Sequence, residues 1–164
     1  MTNQILVKSV VDTLREQGKK IATAESCTGG MLAQLITSIP GASEVFDYGI
    51  VSYANSIKQD MLNVDEEILN TYGAVSEQVA TAMATGVMKA CNADIGVGIT
   101  GIAGPDGGTI EKPIGTVYVC IATPDSQNCC RLDLGECCKN NRSKIRDKAI
   151  YVVLDLVLKS LFNV

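Results

Sequence analysis

Apolar positions recur along the chain with two alternating periods. Leu6, Val10, Val11 and Leu14 fall on one face of a helix over 4–17, which Gly18 stops. Ile21-Ala22-Thr23-Ala24 is a short apolar run and predicts a strand over 20–24. Met31, Leu32, Leu35 and Ile36 then repeat at helical spacing over 30–38, until Pro40-Gly41 ends the pattern. The β-forming run Phe46–Tyr53 predicts a second strand. Asn55 is placed to cap a helix that carries Lys58 in its first turn, and 65–69 reads as a short helical piece. Ser76 caps a further helix whose inward stripe is Val79, Met83, Val87 and Ala90. Ile95–Thr100 reads as a buried strand and 101–108 as a loop. Thr116–Thr123 alternates strongly, and Pro124-Asp125-Ser126 turns it into 130–134 as an antiparallel edge hairpin. The segment 141–161 predicts a long helix with Ile145, Ala149, Val152, Val153 and Leu156 on its apolar face. Helices alternating with strands predict one layered α/β domain over 1–164, with helices on both faces of a mixed, mostly parallel central sheet.

Composition narrows the chemistry more than the fold. The net charge of −4 argues against a general nucleic-acid binder. No apolar run is long enough to span a bilayer, and Met1-Thr2-Asn3-Gln4 lacks the basic start of a signal peptide. The expected compartment is therefore the cytoplasm, with no membrane partner. Seven cysteines in such a chain are expected to be mostly reduced thiols. The chain has no histidine, which removes every Ser-His-Asp and Cys-His mechanism within one chain and all His-containing zinc sites. A general base must then be Lys, Asp, Glu, Tyr or Cys.

The junction Ala24-Glu25-Ser26-Cys27-Thr28-Gly29-Gly30 joins a strand to a helix and carries two potential nucleophiles. Small residues there let main-chain amides at a helix start approach a ligand. If strands 20–24 and 46–53 are parallel neighbours, Ser26, Tyr53 and Lys58 gather at one sheet edge, where open α/β sheets bind ligands. A lysine near a helix N-terminus, partly desolvated, loses some preference for its charged form and can take a proton from serine. Amides after Ser26, at the start of the Gly29-Gly30 helix, would stabilise an oxyanion. Each residue also has a plain structural reading: Ser26 as a helix cap, Tyr53 as a half-buried strand residue, Lys58 as a solvated helix lysine. Cys27 is an alternative nucleophile.

Three other features compete for attention. Gly96-Val97-Gly98-Ile99-Thr100-Gly101 formally matches G-x-G-x-x-G, yet it reads as the strand itself and no acidic residue stands about 20 residues on, so a dinucleotide site is not expected. The glycines through Gly108 would instead bring bare main chain against a phosphate or ribose. Lys139, Arg142, Lys144, Arg146 and Lys148 cluster at a helix start, where cations oppose the dipole; Arg142 is the chosen anion partner. Cys129-Cys130 and Cys137-Cys138 lack C-x-x-C spacing and read as ordinary reduced cysteines rather than metal ligands.

T-A-E-S-C-T-G-G (23–30), Y-x-x-x-x-K at Tyr53 and Lys58, and T-G-I-A-G-P (100–105) together resemble the CinA C-terminal-domain family. Tyr72-Gly73-Ala74-Val75-Ser76 and Lys112-Pro113-Ile114-Gly115-Thr116-Val117 fit it too, so the resemblance spans nearly the whole chain. It implies a three-layer α/β/α sandwich, no metal or other cofactor, and a homo-oligomer. It further implies a stand-alone nicotinamide-nucleotide amidase of the PncC type, hydrolysing nicotinamide mononucleotide to nicotinate mononucleotide and ammonia. Ser26 would be the nucleophile, Lys58 its base and Tyr53 a partner in proton transfer or transition-state binding. Thr28, Gly29, Gly30, Thr100, Gly101, Ala103, Gly104 and Arg142 are the expected substrate-binding residues for a small nucleotide. The stretch before Arg142 departs from the family's G-D-R-x-x-[IV]-R pattern, with Asn141 where Asp is usual. A catalytically silent nucleotide-binding or regulatory module of the same fold is the alternative. A Tyr-Lys short-chain dehydrogenase is a weaker rival, since its motif has three intervening residues and its fold needs a longer chain.

Overall fold

A computed structural model of the chain describes residues 2–162; Met1, from which the N-terminal reading starts, and Asn163 and Val164 lie outside the described residues. The elements run α1 (Asn3–Gln17), β1 (Ile21–Glu25), α2 (Met31–Thr37), β2 (Phe46–Val51), α3 (Asn55–Leu62), α4 (Glu66–Tyr72), α5 (Glu77–Ala90), β3 (Ile95–Gly101), β4 (Thr116–Ala122), β5 (Gln127–Asp133) and α6 (Arg142–Leu161). The five strands form one sheet in the order β2-β1-β3-β4-β5. β1 pairs parallel with β2 and β3, β4 is antiparallel to both its neighbours, and four of the five strands therefore run the same way.

Strand periodicity assigns the layers. Ile21, Ile95, Val97, Ile99, Val117, Val119 and Ile121 point to one face, where Val7, Val10, Leu14, Leu32, Ile150 and Val153 of α1, α2 and α6 cover them. Ala22 and Ala24 point to the other face and meet Val79, Met83 and Val87 of α5. The result is the expected α/β/α sandwich. Gly96 and Gly98, part of the run that imitates a dinucleotide fingerprint, lie on that second face, where a Cβ would collide with the main-chain carbonyls of Ala84 and Ala80. These two glycines are there so that α5 can lie directly on β3.

Helix starts follow chemistry in part. Ser76 and Asn141 accept from Val79 N (3.3 Å) and Lys144 N (3.0 Å), as helix caps do. Asn55 does not cap: Ala54 holds that position and Asn55 is the first helical residue. Ala90, expected inside, is exposed at the end of α5. β5 begins at Gln127, earlier than its apolar residues indicate, because Gln127 pairs with Ala122 to close the hairpin. That hairpin corrects the reading of the cysteines. Its register sets Cys120 directly opposite Cys129 with Cα atoms 4.1 Å apart, and the two are disulfide-bonded, while Cys27, Cys91, Cys130, Cys137 and Cys138 are free. Among the described residues no helix is long and apolar enough to cross a membrane.

Candidate active site

The parallel half of the sheet ends level: Glu25, the last residue of β1, stands opposite Val51 of β2 and Ile99 of β3. Two main-chain bonds continue this pairing past the strands, from Ser26 N to Ile99 O (2.9 Å) and from Ser52 N to Glu25 O (2.8 Å). The chain leaves β1 towards β2 on one side and then crosses to β3 on the other. Ser26 thus sits at the switch point of the topology, where such sheets open a crevice.

Lys58 reaches this point from α3. Its side chain is only 1% exposed, and the amine lies 2.7 Å from Ser52 O, 3.4 Å from Tyr53 O and 3.4 Å from Ser26 Oγ. An ammonium donates to all three oxygens; once neutral, the amine keeps two N–H bonds for the carbonyls and turns a lone pair to the Ser26 hydroxyl. Burial pushes the Lys58 pKa below the ordinary lysine value; a thiolate at Cys27 would oppose this. Burial, in turn, pushes the Cys27 thiol up to about 12, so at neutral pH that opposing charge is absent. Cys27, weighed as an alternative nucleophile, is held in its unreactive protonated form.

The turn after β1 is tied down on both sides. Gly29 N donates to Ser26 O (3.1 Å), closing a turn over Ser26–Gly29. Glu25, 1% exposed, accepts from Gly30 N (3.1 Å), Leu32 N (3.1 Å) and Ala33 N (2.9 Å). A carboxylate on otherwise unpaired amides is what the positive end of a helix favours. Arg146 of α6 donates to Thr28 O at 2.6 Å. Gly29 takes φ +60°, so the turn favours glycine, and a Cβ there would stand 3.3 Å from the Arg146 guanidinium. The amides of Gly29 and Gly30, expected to face a ligand, are therefore already engaged. Those of Cys27 and Thr28, inside the turn, have no main-chain acceptor among the described residues, and the Cys27 amide lies beside its own sulfur.

A cleft of about 270 Å³ opens beside Ser26, Tyr53 and Lys58. Of the expected binding residues, Thr100, Gly101, Ala103, Gly104 and Arg142 line it. Thr28, Gly29 and Gly30 do not; Thr28 and Gly29 belong to the nucleophile turn itself and Gly30 leads into α2. Thr100 donates to Ala74 O (2.8 Å), fixing the segment after α4 against β3. Arg142 donates to Gly104 O (2.7 Å) and to the Tyr53 hydroxyl (3.2 Å), spanning the cleft mouth. The Tyr53 ring is 62% exposed, and the recorded partner of its hydroxyl is Arg142 rather than Ser26 or Lys58. A larger hollow of about 760 Å³ between α1, α2 and α6 holds neither the serine nor the lysine. Sequence reading gave Glu25 and Arg146 no role. Their partners lie 5 to 8 and 118 residues away, beyond any local spacing rule. Asp106, on the cleft wall, was likewise passed over as part of a glycine loop.

The model of the CinA C-terminal domain matches residues 3–161. The CinA-like protein of Anaeromyxobacter dehalogenans is 47% identical over 148 residues, covering 90% of this chain and 35% of that protein. The putative competence-damage inducible protein of Caldicellulosiruptor saccharolyticus is 42% identical, covering 98% of this chain and 38% of its own length. The chain thus spans little more than a third of these curated relatives. The crystal structure of the competence/damage inducible protein CihA from Agrobacterium tumefaciens superposes with a TM-score of 0.91 at 38% identity, covering 97% of this chain and 94% of that one. A CinA superfamily protein of Klebsiella pneumoniae superposes with a TM-score of 0.93 at 28% identity over the full length of both chains. With its motifs, sheet order and this likeness in agreement, the chain belongs to the CinA C-terminal-domain family.

Proposed function

We propose that the protein is an amidohydrolase that removes ammonia from the carboxamide of nicotinamide mononucleotide, with Ser26 as nucleophile and Lys58 as general base. The observation that carries this reading is the Lys58 amine, buried 3.4 Å from Ser26 Oγ with two carbonyls for its two N–H bonds, in a chain without histidine. Neutral Lys58 takes the hydroxyl proton as Ser26 Oγ attacks the carboxamide carbon. The amide of Cys27, which borders the cleft, donates to the oxygen as it becomes negative. Protonated Lys58 then passes its proton to the amide nitrogen, the C–N bond breaks, and ammonia leaves an acyl-enzyme on Ser26. Water, deprotonated by the same lysine, releases the acid and restores the serine.

The rest of the cleft suits a ribotide. Arg142 at the mouth supports a phosphate-bearing substrate, and Asp106 offers a carboxylate to ribose hydroxyls. Tyr53 holds the Arg142 guanidinium through its hydroxyl, a positioning part within this reading. The test is product analysis on purified protein given nicotinamide mononucleotide. Ammonia and nicotinate mononucleotide are expected in equal amounts. Saturable calorimetric binding without either product would establish the silent binding module instead.

A further inference from the structure

We propose that Arg146 is a positioning residue for the nucleophile turn, holding the Cys27 amide in register with Ser26. This rests on the reading of Ser26 as a nucleophile, and on nothing about its substrate.

A peptide unit is planar, so fixing its two polar ends fixes its orientation. The unit between Thr28 and Gly29 is fixed in that way: its oxygen accepts from Arg146 at 2.6 Å, and its N–H donates to Ser26 O at 3.1 Å. Rotation about Thr28 is then restricted, and with it the direction of the Thr28 N–H. The Cys27 amide, which borders the cleft, has no main-chain acceptor within this turn. An oxyanion hole needs donors of this kind, paid for before the reaction begins.

Arg146 makes this contact in place of a structural one. Its hydrogen bond is to the nucleophile turn, its Nε is buried without a partner, and among the described residues it joins no carboxylate. The buried carboxylate of the same region, Glu25, is taken up by three amides of α2 and its approach. Gly29 leaves the space that the guanidinium occupies. At Cys27 the Arg146 charge offsets part of the opposing charge of Glu25, the carboxylate held beneath the same turn.

The test uses the full chain and a fluorophosphonate, followed by intact mass. Ser26 Oγ bonds to phosphorus, the P–F bond breaks, fluoride leaves and the serine proton passes to Lys58. The developing charge on the phosphoryl oxygen falls on the Cys27 amide. Arg146→Met is expected to label about tenfold or more slowly than the native chain. The pH midpoint of labelling should not move, because Arg146 does not touch Lys58. Arg146→Lys should recover most of the rate by placing an ammonium on the same carbonyl. A native rate in Arg146→Met, or a shifted midpoint, overturns the inference and leaves the amidase reading standing. If Arg146→Met does not fold, Arg146→Gln takes its place with the same expected loss, and a native rate there overturns the inference equally. Failure of the native Ser26 to label overturns both readings. Labelling without turnover of nicotinamide mononucleotide overturns only the substrate.

Discussion

The two halves of the sheet are built from similar residues and do different work. β2, β1 and β3 run parallel and end level, so three chain segments leave the sheet at one edge. Ser26, the Ser52–Lys58 segment and the Thr100–Gly104 loop all come from that edge. β4 and β5 form a tight antiparallel hairpin, whose far end is a turn at Thr123–Ser126 and whose cross-strand link is Cys120–Cys129. An antiparallel pair sends successive strand ends to opposite edges, so it cannot gather side chains from consecutive loops. The comparison teaches that direction, more than composition, decides where chemistry can assemble. Both halves bury their inner strands and leave an edge strand, β2 or β5, more exposed, but only one converges.

Substitutions in each half put this contrast to experiment. The largest effect is expected for Ser26→Ala, with ammonia release from nicotinamide mononucleotide falling about ten-thousandfold or more in kcat/KM. Lys58→Met comes next, at about a thousandfold in kcat, measured in the same assay. Arg142→Gln should raise KM by about tenfold while leaving kcat within a few fold. Comparison with the nucleoside lacking the phosphate sharpens this: the loss should vanish there if Arg142 binds the phosphate. The smallest effect on chemistry belongs to the hairpin half. Ile121→Ala, which empties a fully buried site in β4, should lower unfolding free energy by about 2–4 kcal/mol in denaturant titrations. Its ammonia release per folded molecule should stay within twofold of native, and a loss of turnover there would break the division between the halves.

Most of the architecture was legible because it follows from periodicity. The strand at 20–24, the helix at 30–38 and the hairpin after Thr116 are local patterns, and the structure places all of them. Ser26 and Lys58 were legible for a related reason: each sits just beyond a strand that a parallel sheet must bring to one edge. What local pattern could not give was the state of main-chain groups. The glycines at 29 and 30 pointed to their own amides as ligand donors, yet these are bonded to Ser26 O and Glu25. The amide that borders the cleft without a main-chain acceptor lies two residues earlier, at Cys27. Cys129 looked like half of a vicinal pair because its partner, Cys120, comes from the opposite strand. Arg146 looked like one cation among five in a solvated run; its contact with Thr28 depends on how α6 packs against the sheet.

The central claim is that a buried lysine, neutral when it acts, activates Ser26. The pH dependence of kcat/KM for ammonia release tests it most directly. Protonated Lys58 cannot accept the serine proton, so activity is lost at low pH and rises as the amine deprotonates. Burial lowers that pKa, so the midpoint should fall below the ordinary lysine value of about 10.4, and the limb should disappear in Lys58→Met. A native midpoint at or above the ordinary value, or the same limb surviving in Lys58→Met, would contradict the account.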